Sequence, residues 1–269
     1  MDKATEILTG SRKIVLKIGS NVLAGADGSM DTDVVEDIAA QVVALREEGK
    51  QVVMVSSGAE VSGVNAVGAW SRHGDMNYKQ AMCAVGQVEL MMAYKKHFAK
   101  HGAIVAQLLL TRANFRDRNT TLHIRNTLFT LLDEGVVPII NENDSVSIDE
   151  FDSGDNDRLA ALTSNLWNAD LLILMSDIEG VYDKSPKEHE GAKLIGEVTD
   201  IGALRRVIDT GGKSSFGSGG MGSKIDAAEA VAEHGAALLL VCGKSRGVLT
   251  RIAGGEQSGT IFVPGGRYS

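Results

Sequence analysis

Six stretches of this chain are apolar and rich in β-branched residues: KIVLKIG, QVVMVSSG, AIVAQLLLT, VVPIINEN, LLILMSD and ALLLVCG. They run on without polar alternation and have the length of strands, so they predict strands buried on both faces. Between most of them the apolar positions change to a helical spacing. Val34, Val35, Ile38, Val42 and Leu45 share one face of a helix predicted from about Asp31 to Glu48, with Gly49 as its stop. Other helices are predicted near Tyr78 to Lys100, Thr120 to Glu134, Asn156 to Trp167 and Ser223 to Glu233. This alternation predicts an α/β fold whose mainly parallel sheet carries helices on both sides.

Polar and glycine residues gather where the predicted strands end. Lys17 and Gly19 close the first strand; Ser56, Ser57 and Gly58 close the second; Asn141 to Asp144 close the fourth; Ser176 and Asp177 close the fifth. In an open parallel sheet all carboxyl ends share one edge, and ligands bind there. Four strand ends therefore converge on one expected site.

Composition narrows the class. The 269 residues are 43% hydrophobic, enough for one large domain or two closely packed lobes. A formal net charge of −8 offers no broad attraction to nucleic acid or to an anionic membrane surface. Cys83 and Cys242 have no CxxC pairing, which suits a reducing compartment and no disulfide framework. The start MDKATEILTGSRK lacks a signal-peptide core and no run is long enough to span a membrane, so a cytoplasmic protein is expected. Neither a linker nor an internal repeat is visible.

The stretch FGSGGMGSK has the glycine spacing of a Walker loop at Gly217 and Gly222, but its last two residues are transposed to Ser223 and Lys224. One position on the following helix turns a side chain by about 100°. The position of Lys224 therefore argues against the usual Walker fold, while backbone amides at a helix start still favour a bound anion. Lys17 ends an apolar strand, where a lysine needs a partner or an exposed tip. NENDSV and GDND supply Asn141, Asp144, Asp155, Asn156 and Asp157, which could read an ammonium and a carboxylate, coordinate Mg²⁺ or hold lysines; as turn residues they need no function. His97 and His101 have a spacing capable of metal binding, yet KKHFAKHG reads mainly as a solvated helix end. Arg112, Arg116, Arg118 and Arg125 read as ion-pairing surface or subunit contact rather than as an RNA site.

Taken in order, VLKIGSNVL, VVMVSSGA, AVGQ, QLLLTR, VVPIINENDSV, GDNDRLAAL, LLILMSDIEGVY and GSGGMGSKIDAA resemble the amino acid kinase family, and within it the branch that phosphorylates the side-chain carboxylate of glutamate. The pairing of NENDSV with GDND is the specific part. The resemblance implies a three-layer αβα sandwich, with residues 1–168 forming an amino-acid-binding lobe and 169–269 an ATP-binding lobe. It implies that Lys17 and Lys224 contact the transferring phosphoryl group and that Asp157 orients both. Ser57, Gly58, Asn141, Asp144, Asp155 and Asn156 fall at substrate positions. Lys17, Ser176, Asp177, Ser218, Gly219, Gly220, Met221, Gly222, Ser223 and Lys224 fall at nucleotide positions, although Ser176 stands where threonine is common and Gly222-Ser223 replaces a frequent Ser-Thr pair. ATP with Mg²⁺, L-glutamate, a homo-oligomeric state and a γ-glutamyl phosphate reductase as the next enzyme of proline synthesis follow from the same resemblance. Longer members carry a PUA domain, and this chain looks like the short, kinase-only form.

The chemistry implied is compatible with the residue inventory. A glutamate side-chain carboxylate, whose unperturbed pKa is about 4.3, is ionised at neutral pH and needs no catalytic base. The enzyme's task is to overcome repulsion between two anions, work suited to lysines, helix amides and Mg²⁺. An acetylglutamate kinase is the nearest alternative, although the acidic NENDSV and GDND segments suit a free ammonium. A non-catalytic sensor would have no use for Lys17, Asp157 and Lys224 together. A dinucleotide enzyme is disfavoured because the first strand leads into KIGSN instead of GxGxxG.

Overall fold

The computed structural model describes residues 2–68, 75–147, 156–184, 186, 189–210, 220–256 and 258–265. Strands β1 (Lys13–Ile18), β2 (Gln51–Ser56), β3 (Val105–Leu110), β4 (Val137–Glu142), β5 (Leu171–Ser176), β6 (Glu197–Val198), β7 (Ala237–Cys242) and β8 (Thr260–Phe262) form one sheet in the order β3-β4-β2-β1-β5-β7-β8-β6. Every pairing is parallel except that of β7 with β8. All six strands expected from the apolar runs are present. The short β6 and β8 are additions, too brief to leave a pattern.

Side-chain alternation divides the core into two halves. Ile14, Leu16 and Ile18 of β1 join one cluster, with Val52 and Met54 of β2 and Val137 and Ile139 of β4. This face is covered by α1 (Lys3–Gly10), α3 (Thr32–Glu47) and α5 (Met76–Lys100). Val15 faces the other way, with Val53, Val55 and Ile140, against α6 (Arg118–Asp133), α7 (Asp157–Trp167) and α9 (Gly220–Ala232). Helices on both faces of one sheet make three layers. Strand β3 departs from the expectation of two buried faces: it lies at the sheet edge and only Leu110 is buried.

Helix ends follow local chemistry. Asp31, Asp75 and Asp117 accept hydrogen bonds from first-turn amides of α3, α5 and α6 and so fix where each begins. Two shorter helices complete the region around the strand ends: α2 (Ser20–Leu23) and α4 (Ala59–Val67). Helices α4 and α5 approach so closely that a Cβ on Gly63 would lie 1.8 Å from Met82 O, and one on Gly86 would lie 1.8 Å from Ala59 O. Only a residue without a side chain fits either place. Toward the C-terminus come α8 (Ile201–Thr210) and α10 (Val248–Ala253); Asp37 and Gln41 of α3 accept hydrogen bonds from Gly247 N and Leu249 N at the start of α10. That contact ties the two halves of the chain together.

The helix ending in KKHFAKHG is not simply solvated. His97 is buried, and its Nδ1 lies 2.5 Å from Glu36 Oε2; Lys100 and His101 meet the same carboxylate at 2.7 and 2.9 Å. Lys100, then His97 and His101, hold the Glu36 carboxyl down to about 2.

Candidate active site

The parallel order places the carboxyl ends of β1, β2, β4 and β5 side by side, and the register sets Lys17 beside Val55 on one neighbour and Leu174 on the other. Alternation then decides direction. Lys17 shares the face of Val15, the side on which α7 packs. Asp157 opens α7 there, fully buried, and its Oδ1 lies 2.8 Å from Lys17 Nζ. The other carboxylate oxygen, Oδ2, lies 3.2 Å from Lys224 Nζ, and it accepts a hydrogen bond of 2.9 Å from Ser223 Oγ. Lys224 also donates to Gly220 O.

Lys17 and Lys224 are 3% and 6% exposed, so among the described residues two buried ammonium groups share the Asp157 carboxylate. Buried ammonium groups are costly to desolvate, and an anion brought beside them offsets part of that cost. The opening of α7 adds to the positive potential. Both ammonium groups are flanked by backbone without side chains: a Cβ on Gly19 would stand 3.3 Å from Met175 O and 3.8 Å from Lys17 Nζ, and one on Gly220 would stand 3.7 Å from Lys224 Nζ.

A second group of polar residues lies on the opposite face. Asn141 has the parity of Val137 and Ile139, which turns it toward α5. Its Nδ2 donates to Gln87 Oε1 at 2.8 Å, and its Oδ1 accepts from Asn156 Nδ2 at 2.7 Å and from Glu142 N at 2.9 Å. Asn156 donates its second amide hydrogen to Ser56 O, 3.0 Å away. Ser56 Oγ is 2.8 Å from Tyr94 OH on the same helix α5, and burial pushes the Tyr94 hydroxyl pKa upward. The ends of β2 and β4 and the start of α7 are thus held in one network braced by α5.

Beside this network is a cavity of about 180 Å³ whose walls include Ser57, Gly58, Lys79, Cys83, Asn141 and Asp144. Asp144 is 6% exposed, and its Oδ1 is buried without a hydrogen-bond partner among the described residues. Gly58 has φ +100°, the left-handed turn that lets β2 pass into α4.

At the end of β5, Ser176 Oγ donates to Asp177 Oδ1 at 3.1 Å, and Asn21 Nδ2 donates to Asp177 Oδ2 at 2.9 Å. Burial alone would raise the Asp177 pKa. The Asn21 amide, its own backbone N–H, Ser176 and the charge of Lys224 outweigh that and hold it below the usual range. Of the glycine loop, Gly220, Met221, Gly222 and Ser223 form the first turn of α9, which begins earlier than the helix expected from Ser223. Asp155, Ser218 and Gly219 lie outside the described residues.

The structure therefore brings together Lys17, Asp157, Ser223 and Lys224 in one cluster and Ser57, Gly58, Asn141, Asp144 and Asn156 around the neighbouring cavity. Sequence reasoning passed over Gln87, Tyr94, Lys79 and Asn21. A signal was available for two of them: Cys83, Gln87, Leu90 and Tyr94 recur at helical spacing, so Gln87 and the Tyr94 hydroxyl are polar groups on the apolar face of α5. Among the described residues no group of three or more His, Cys, Asp or Glu is placed to hold a metal ion, and no helix is long and apolar enough to cross a membrane.

The family model described as "Amino acid kinase family" matches residues 12–242. A glutamate 5-kinase of Alkaliphilus metalliredigens is 52% identical over 97% of this chain and 98% of its own length. A glutamate 5-kinase of Syntrophotalea carbinolica is 42% identical over 96% of this chain and 69% of its own length. Among solved structures, carbamate kinase from Giardia lamblia bound to AMP-PNP superposes with a TM-score of 0.65 at 16% identity, covering 95% of this chain and 99% of that one. With its sheet order, its strand-end cluster and these matches in agreement, the chain belongs to the amino acid kinase family, in its glutamate 5-kinase branch.

Proposed function

We propose that this protein transfers the γ-phosphoryl group of ATP to the side-chain carboxylate of L-glutamate, giving γ-glutamyl phosphate and ADP, the first step of proline biosynthesis. The observation that carries the reading is the pair of buried lysines, Lys17 and Lys224, on opposite oxygens of Asp157. The acceptor carboxylate is ionised at neutral pH, so proton removal is not part of the reaction. What limits the rate is bringing two anions together and stabilising charge on the equatorial phosphoryl oxygens. Two ammonium groups fixed by one carboxylate are placed for that work before the substrates arrive.

In this reading residues 1–168 hold the amino acid and residues 169–269 hold ATP, and the reaction takes place where they meet at the ends of β1 and β5. Ser57, Gly58, Asn141, Asp144, Asp155 and Asn156 form the amino acid site. Ser176, Asp177 and the segment from Ser218 to Lys224 take the nucleotide, with Lys17 and Lys224 on its phosphates. The donor set fits a Mg²⁺ that arrives with ATP and is kept by phosphate oxygens and water, because the central carboxylate Asp157 is already held by two lysines. Mg²⁺ would supply further neutralisation of the triphosphate.

We place the protein in the cytoplasm, where the thiols of Cys83 and Cys242 stay reduced. Exposed Val85, Val88 and Met92 on α5, near the edge strand β3, support a homo-oligomer. The acyl phosphate product is labile, so a γ-glutamyl phosphate reductase acts next. The test is hydroxylamine trapping with ATP and Mg²⁺, offering L-glutamate, N-acetyl-L-glutamate and L-aspartate side by side and following ADP release. Hydroxamate from L-glutamate alone supports the reading; hydroxamate only from another acid moves the substrate, and neither hydroxamate nor ADP overturns it.

A further inference from the structure

Helix α9 carries two groups of the strand-end cluster, Ser223 and Lys224, yet its first turn contains Gly220 and Gly222, and glycine is the weakest helix former after proline. The place of that turn therefore depends on what holds the rest of the helix. One face of α9 packs against α7, where Asp157 meets Ser223 and Lys224. The preceding helix, α8, lays Ile201 and Leu204 on the same apolar cluster as Met221 of α9. From α8, Arg205 grips α9 through two carboxylates. Its Nε and Nη2 donate to the two oxygens of Glu229, both at 2.8 Å, and Nη2 also donates to Asp226 Oδ1 at 2.5 Å. At about 100° per residue, Asp226 and Glu229 lie roughly 200° and 140° round the helix from Lys224. The grip is on the far side of α9 from the lysine.

We propose that Arg205 is a positioning residue for phosphoryl transfer: by fixing the rotation of α9 it keeps Ser223 and Lys224 on Asp157, in place for the nucleotide phosphates. This rests on the reading of the protein as an ATP-dependent glutamate kinase and adds to it a residue from outside the strand-end motifs. A rotation of α9 that carried Lys224 away from Asp157 would also draw Asp226 and Glu229 out of reach of Arg205, so the two contacts resist the same motion. A planar guanidinium that grips one carboxylate with two hydrogen bonds holds a direction as well as a distance, which an ammonium does not. The effect is on geometry rather than on stability. The side chains of Arg205, Asp226 and Glu229 are 33%, 68% and 38% exposed, and ion pairs so open to water stabilise a fold little.

The experiment compares wild type, Arg205→Met and Arg205→Lys. Hydroxamate formation from L-glutamate gives kcat and the KM for each substrate, titration with AMP-PNP and Mg²⁺ without amino acid gives nucleotide affinity, and thermal melts give stability. Arg205→Met should lower kcat/KM for ATP about tenfold, as a small misplacement of reacting groups does, and weaken AMP-PNP binding at least about threefold. KM for glutamate should stay within about twofold and Tm within about 4 °C. Arg205→Lys, which retains the charge without the fork, should fall between Arg205→Met and wild type, and it carries the test if Arg205→Met does not fold. ATP parameters equal to those of wild type, or an equal rise in both KM values, overturn the assignment. So does a lowered Tm with both KM values unchanged, the signature of a purely structural contact. Wild type that binds AMP-PNP but forms no hydroxamate from glutamate overturns the underlying reading instead, and the AMP-PNP comparison then judges Arg205 by itself.

Discussion

Lys17 and Lys224 reach the site from opposite ends of the chain and are held on opposite oxygens of one buried carboxylate, that of Asp157. In the proposed reaction, removing either lysine takes away charge felt mainly in the transition state. Lys17→Ala and Lys224→Ala should each lower kcat at least about tenfold with the fold intact. Asp157→Ala differs in kind: it leaves two buried ammonium groups without their anion and should cost about 3–5 kcal/mol of stability as well as turnover. Urea unfolding beside steady-state kinetics separates the two; unchanged stability in Asp157→Ala would mean that the cluster is solvated.

Gln87, on α5, accepts the hydrogen bond that orients Asn141. Gln87→Leu should therefore raise KM for glutamate by roughly threefold to tenfold, the range expected for one lost hydrogen bond, while KM for ATP stays put. Kinetics with each substrate varied in turn tests this, and equal effects on both would detach Gln87 from the amino acid site.

The crossing of α4 and α5 leaves no room for a methyl group. Gly86→Ala places Cβ against Ala59 O and should destabilise by about 3 kcal/mol or more, since backbone rather than a flexible side chain must yield. Gly222→Ala makes the control, because its Cβ would meet open space. Thermal melts of the pair should differ widely, and similar melts would contradict the close approach.

Acid should weaken the contact between α3 and the end of α5. Glu36, held at about 2 against an ordinary 4.5, contributes stability that is complete above pH 4.5 and is lost as pH falls toward 2. Glu36→Gln should flatten this acid limb in a plot of Tm against pH. Parallel curves for the two proteins would assign the acid sensitivity elsewhere.

The sheet and the convergence of its strand ends are readable because buried parallel strands leave unbroken apolar runs, and polar residues interrupt them only where the strands stop. Lys17, Asn141 and Ser176 stand out for that reason. Asp157 as the common partner of both lysines comes from the family resemblance, since no spacing reveals a contact between residues so far apart. Helix α4 is not legible because glycine and serine dilute its apolar face, and its stability comes from packing on α5. The burial of His97 is hidden because its neighbours are lysines, while its partner Glu36 lies on another helix.

In the proposed reaction the charge that meets the phosphoryl group comes from Lys17, Asp157 and Lys224, whereas Gly19 and Gly220 stand beside the two ammonium groups and contribute no charge at all. Charge and bulk can thus be altered independently: a bulky residue at position 19 would obstruct the approach of an anion while leaving the attraction toward it in force. Such a protein would still draw nucleotide toward the sheet edge and fail to seat it, a capture without turnover that mutation of the lysines themselves cannot produce.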